Sequence, residues 1–298
     1  MNDTLETPPS GPGNVGPARI RAFALVGETL GEIYRRRRAL VKIAAVPAAV
    51  WALFGFVQLY MITQMLRNGV FKASVHGGES WLPTTFTVSG WLVNAILASG
   101  LAIACHRLLL LRTMPKSALG FDFGWREVRY IGYGVLIAIV AFAPFYLGMM
   151  LFLMLALGGA PSHAHVSPLL GMAVGLFFIG AFIFTYMAFV RLSLVVPAIA
   201  VDAGAGLFSR LKRAWRLGRP APWRLTGAWM MITLIIGLVL IGPEILGGYI
   251  YGFYGGSAVL AIAFALGNVI VTILFAFMFS LAYRRLGGEI SEPAPSEA

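Results

Sequence analysis

Residues 257–283 read SAVLAIAFALGNVIVTILFAFMFSLAY, 27 residues without one Asp, Glu, Lys or Arg. Crossing about 30 Å of hydrocarbon takes about 20 apolar residues at about 1.5 Å of rise each. A run of this length therefore spans a membrane as a helix. Five further runs have the same character: 40–66, 86–111, 130–157, 168–190 (with an apolar extension to Val201) and 225–247. Transmembrane strands would instead show alternating segments of about ten residues. The fold class is all-α, a polytopic bundle of six transmembrane helices, occupying residues 19–285.

Composition agrees. Of the 298 residues 59% are hydrophobic and 12% charged, with a mean hydropathy of +0.82. Soluble domains carry about 25% charged residues. A soluble enzyme, a nucleic-acid-binding domain and a disordered chain are all excluded, despite a net charge of +11. Trp51, Tyr60, Trp81, Trp91, Trp125, Tyr130, Trp223, Trp229, Tyr249 and Tyr283 fall mostly toward span ends, as headgroup-level anchors do. The Pro- and Gly-rich residues 1–18 and the polar residues 286–298 read as disordered tails. The first apolar run is too long for a cleaved signal, so it serves as an uncleaved anchor. Cys105 is the sole cysteine, which leaves no intrachain disulfide and no cysteine-based zinc site.

Charge sets the orientation. Of 23 Lys and Arg, 21 flank the spans on one side; only Arg67 and Lys72 lie on the other, where Glu79 and Glu244 balance them. By the positive-inside rule both termini are cytoplasmic. Three basic segments precede helical hairpins. The first contains Phe23, Val26, Leu30 and Ile33 at helical spacing, the second Phe121, Trp125 and Val128. The third sets Leu207, Leu211 and Trp215 against Arg210, Lys212, Arg213 and Arg216. Each reads as an interfacial amphipathic helix whose arginines meet anionic lipid at about 1 kcal/mol apiece. The chain is then three repeats of interfacial helix plus hairpin.

Chemistry-bearing groups are sparse. His163 and His165 form a metal-like pair, but zinc needs a third or fourth ligand, and only the distant His76, Glu79 and Glu244 share their side. A polar turn is the favoured reading, with no metal or other cofactor. Glu244 is the only acid in or near an apolar run, and Pro243 with Gly247-Gly248 places it within about a turn of the outer surface. Arg191 interrupts the fourth run. Either the span ends there, the chain bends at Pro197 and Arg191 snorkels to phosphates, or the helix continues and Arg191 pairs with an acid such as Asp202. Asn94 and Asn268, with Gln58, Thr185, Thr233 and Thr272, are polar groups at membrane depth suited to bonds between helices. No buried acid, histidine relay or basic series accompanies them, as an ion pump would require. Gly171 and Gly175 form a GxxxG suited to close helix contact, and Pro144 predicts a kink.

Arg191, Pro197, Asp202 and the basic stretch Leu211–Gly218 with Ala214-Trp215 together resemble a pattern in one group of proteins. These are bacterial six-span membrane proteins, mostly uncharacterised, related to the membrane domain of glycerophosphodiester phosphodiesterases. Ala214 stands where the group usually has Ser. The resemblance implies a helical bundle with interfacial elements and carries over no catalytic residue. The soluble phosphodiesterase domain has no counterpart here, so hydrolysis is not implied.

The leading expectation is a non-enzymatic membrane component. Its partners are the bilayer, anionic phospholipids of the cytoplasmic leaflet, and other membrane proteins, without nucleic acid. A small permease using Asn94 and Asn268, or a lipid-acting enzyme using His163, His165, Glu244 or Arg191, are the rival readings.

Overall fold

The computed structural model describes residues 20–67, 81–114, 124–158, 168–201, 206–250 and 256–288. Among these the chain is helical, with no strand. Helix α1 (Ala22–Arg35) precedes the hairpin of α2 (Arg37–Arg67) and α3 (Trp81–Leu110). The second hairpin is α4 (Trp125–Gly158) with α5 (Pro168–Leu192). Two shorter helices, α6 (Val195–Ala200) and α7 (Leu207–Gly218), lead to the third, α8 (Pro222–Ile250) with α9 (Gly256–Arg285). The six hairpin helices are long and apolar enough to cross a membrane. Each expected run coincides with one of them, no end differing by more than five residues.

Helix α9 is the hub and packs against α1, α2, α3, α6 and α8. The α4–α5 hairpin sits outside it, joined through α3, α6 and α8. An aromatic seam helps to fasten it. Phe142 of α4 meets Tyr186 and Phe189 of α5 edge-on, Tyr186 meets Trp229 of α8, and Trp229 stacks on Phe275 of α9 with centroids 5.9 Å apart. Offset and edge-to-face pairs of this kind add about 0.5–1.5 kcal/mol each.

Packing is uneven along the axis. In α3 the buried side chains run from Leu97 to Leu109, while Val88, Trp91 and Leu92 are exposed. In α5 Ala188 and Val190–Leu192 are buried and Met172, Leu176 and Ile179 are exposed. In α9 Ile273–Tyr283 are closed in and Val259, Ile262 and Phe264 are not. The tight end is the one where α3, α5 and α9 finish, α2, α4 and α8 begin, and α1, α6 and α7 gather. A small cluster of Ala198, Val201 and Tyr283 with Leu110 and Leu217 ties four of these elements together. The arginine-rich segments converge there, so it is called the basic end below.

Several expectations need correction. Helix α1 buries Leu25, Val26 and Thr29 against the bundle, whereas Phe23 is 80% exposed and Leu30 is also exposed. Of the expected stripe, Val26 is buried and Ile33 packs against the core, so the buried face is turned from that stripe toward Leu25 and Thr29. The second basic segment is no separate helix from Trp125 onward, because α4 runs unbroken from there through Pro144. Its start is closed by Glu127, which accepts the Gly124 N–H at 2.7 Å in half of a capping box. The fourth span breaks after Leu192, before Pro197, and Pro197 sits in the first turn of α6, where its missing N–H breaks no bond. A Cβ on Gly175 would meet nothing within 4 Å, so this glycine mediates no close contact. Trp51 and Tyr283 are buried and Trp229 lies in the aromatic seam, so these three are packing residues. Residues 286–288, expected in the tail, cap α9. Gly287 has φ +78° and its N–H bonds to Arg284, while the Gly288 N–H reaches Tyr283, a Schellman motif.

Candidate functional site

The polar side chains of the basic end fall into three groups. The first centres on a histidine that no motif in the sequence marks. His106 of α3 is fully buried, with Nδ1 2.6 Å from Ser280 Oγ of α9 and Nε2 3.3 Å from Tyr130 OH of α4. This is a single buried histidine bonded to two hydroxyls, not a relay of histidines along the spans. It has the atom types of a nucleophile–base pair. Neither His106 nor Ser280 has any exposed surface, however, so no substrate reaches the hydroxyl. Its chemistry is that of a cross-brace holding α3, α4 and α9 in register. Bonds of this kind between membrane helices are worth about 0.6–1.7 kcal/mol. Ser280→Ala is therefore expected to lower unfolding stability by about 1 kcal/mol, measured by titrating the micellar protein with dodecyl sulfate. A neutral result would mean that His106 finds another partner.

The second group consists of guanidiniums that close helix ends. The last four carbonyls of a helix have no partner in their own helix, and cations are favoured beside them. Arg36, at the junction of α1 and α2, donates from Nη1 to the Leu108 carbonyl in the last turn of α3 at 2.7 Å. Arg191, at the end of α5, donates from Nη2 to the Trp215 carbonyl in the last turn of α7 at 2.9 Å. Its guanidinium also lies 3.8 Å from the centroid of the Trp215 ring, a cation–π contact. Arg191 is only 7% exposed, so it neither snorkels to solvent nor sits on a lipid-facing surface. The acid proposed for it, Asp202, lies outside the described residues. Helix α7 is thus clipped to the bundle through Arg191, with Ala214 buried beneath it and Leu211 and Trp215, expected at the membrane interface, packed on the core instead. Lys212 and Arg216 stay exposed, Arg210 and Arg213 are half-buried, and Phe208 is 81% exposed among them.

The third group lies between α1 and α9. Arg285 is ion-paired with Glu28, and Glu32 is held by Arg35 at 3.3 Å and Arg36 at 3.1 Å. Exposed aromatics ring the same end: Phe23, Tyr34, Trp125, Phe208 and Trp223. Arg37 lies 4.3 Å over Tyr34, and Arg129 lies 5.7 Å over Trp125. Aromatics and arginines at one level are the composition of a headgroup layer.

The other candidate residues do not join these groups. Asn94 accepts a hydrogen bond from the Trp51 indole N–H at 3.1 Å. Asn268 lies at a similar depth but donates to the Phe264 carbonyl of its own helix at 2.9 Å. The pair that a permeation path would use is therefore engaged separately. Glu244 lies within α8, six residues before its end, because the helix continues through Pro243 and Gly247-Gly248. His163 and His165, like His76 and Glu79, lie outside the described residues. Among the described residues no three His, Cys, Asp or Glu side chains group as metal ligands.

Fold and site together define an all-helical, multi-pass membrane protein with a closely packed basic end. No family model, curated protein or solved structure matches the chain.

Proposed function

We propose that this chain is a bacterial inner-membrane protein, both termini cytoplasmic, that engages anionic phospholipid and the membrane proteins around it through its basic end, without chemistry of its own. One observation carries the reading. Helix α7 is held against the bundle by Arg191 and Ala214, and its outer face presents Lys212 and Arg216 beside an exposed Phe208. An aromatic that enters the acyl boundary and cations that meet phosphates are what an interfacial helix uses. Here the helix is fixed to the spans, so its lipid contacts are set in depth. The kinship with the six-span group is part of the proposal, carried by Arg191, Pro197 and Ala214-Trp215.

The test is lipid retention by the purified full chain, read by native mass spectrometry after equilibration in mixed phosphatidylcholine and phosphatidylglycerol. Each basic residue near the headgroups is worth about 1 kcal/mol, and about 1.4 kcal/mol is tenfold. Replacing Arg210, Lys212, Arg213 and Arg216 by Gln is therefore expected to lower phosphatidylglycerol retention by at least about tenfold, and more weakly at high salt. Unchanged retention at low salt defeats the proposal.

A further inference from the structure

A groove of about 440 Å³ opens between α1 and the end of α9, lined by Gly27, Glu28, Gly31, Glu32, Arg35, Leu281, Arg284 and Arg285. The wall from α1 carries both carboxylates, Glu28 and Glu32, together with Arg35, and the wall from α9 carries Arg284 and Arg285. Gly27 and Gly31 lie four residues apart on one face of α1, and a Cβ on either would meet nothing within 4 Å. The α1 wall is thus recessed and open where other residues would fill it. The Schellman cap at Gly287 fixes the last turn of α9 and with it the Arg284–Arg285 wall.

We infer that this groove binds a phosphoethanolamine group, a phosphate and a primary ammonium joined by two carbons. A simple anion entering it faces Glu28 and Glu32, and a simple cation faces Arg35, Arg284 and Arg285. A ligand with both signs a short distance apart complements both walls at once. A carboxylate accepts up to about four hydrogen bonds, and Arg285 engages Glu28 through a single oxygen. The remaining capacity suits a donor, which a primary ammonium supplies and a quaternary one does not. Guanidiniums supply the matching fork for phosphate. The groove lies beside the last turn of the sixth span, the depth of a phospholipid headgroup, and its size is that of a small-ligand pocket.

The inference needs the helices to span a bilayer but does not rest on α7. Full-length protein is reconstituted in nanodiscs of equimolar phosphatidylethanolamine, phosphatidylcholine and phosphatidylglycerol, and the retained lipid is counted by native mass spectrometry. Phosphatidylethanolamine is expected to be retained about tenfold over phosphatidylcholine, the gain of about one charge-assisted hydrogen bond. Gly31→Leu fills the open wall without touching an ion pair and is expected to abolish that preference. Glu28→Gln with Glu32→Gln is expected to abolish it too while raising phosphatidylglycerol retention. Since Glu28→Gln also loosens the contact of α1 with α9, the leucine variant separates site loss from misfolding. The four-residue α7 variant is expected to leave the preference intact. Displacement of the lipid by millimolar O-phosphoethanolamine assigns the site to the free group, and resistance to it assigns the site to the lipid. Equal retention of phosphatidylethanolamine and phosphatidylcholine, or a preference that survives Gly31→Leu, overturns the inference.

Discussion

Replacing Trp51 by alanine is expected to lower stability by about 3 kcal/mol. The ring is 2% exposed and belongs to the main core, where α2 meets α3 and α9. In lipid the transfer of apolar surface from water does not favour association, so packing and hydrogen bonding carry the loss. At about 24 cal/mol per Å³, the roughly 140 Å³ vacated gives the figure quoted. The indole also donates to Asn94, so truncation leaves that amide oxygen unpartnered in an apolar setting. Trp51→Phe keeps most of the volume and loses the donor, which isolates the hydrogen bond at about 1 kcal/mol. Dodecyl sulfate unfolding of the variants, with Asn94→Leu closing the cycle, measures both parts. Wild-type stability in Trp51→Ala would mean that α2 is not packed as described.

Gly218→Ala is expected to destabilise the protein by about 1–3 kcal/mol, the usual range for overpacking. The sign is the notable part, because alanine ordinarily gains about 1 kcal/mol over glycine inside a helix. At Gly218 a Cβ would lie 2.9 Å from Cγ, 3.2 Å from Cβ and 3.4 Å from Cα of Arg191. These atoms belong to the stem of a side chain whose far end is pinned by its bond to the Trp215 carbonyl and its stack on the Trp215 ring. Neither neighbour yields without lifting the end of α7. Gly237→Ala in α8 serves as the contrast, since a Cβ there meets nothing within 4 Å. Thermal unfolding in detergent should move down for Gly218→Ala and stay level or rise for Gly237→Ala. Equal shifts would remove Arg191 as the clip that holds α7.

What could be read from sequence follows the range of the forces involved. The six spans were legible because each is a long run free of charge, a property that needs no partner to recognise. The apolar face of α7 was legible, since Leu211 and Trp215 fall on one side by spacing alone, but not that this face packs on the bundle. Partners were not. His106 stands beside Arg107 near a span end and looks like headgroup decoration, while Ser280, which bonds it, lies 174 residues away. Arg191 drew attention as a charge in an apolar run, yet its stacking ring and carbonyl come from another helix. Helix α1 shows a different failure. Phe23 and Leu30 share a periodicity with Val26 and Ile33, yet only Val26 and Ile33 pack on the bundle, because periodicity does not fix how the helix is turned about its axis.

Helix α9 has a consequence for how the protein is made. Chains enter the membrane from the N-terminus, and α9 is the last of the six spans to leave the ribosome. It is also the helix against which α1, α2, α3 and α8 pack. The earlier spans can pair with one another, α2 with α3 and α4 with α5, but their contacts with α9 form only once it is inserted. The Glu28–Arg285 pair between α1 and α9 forms only after the sixth span has entered, so quality control acting before that point would meet a basic end still open.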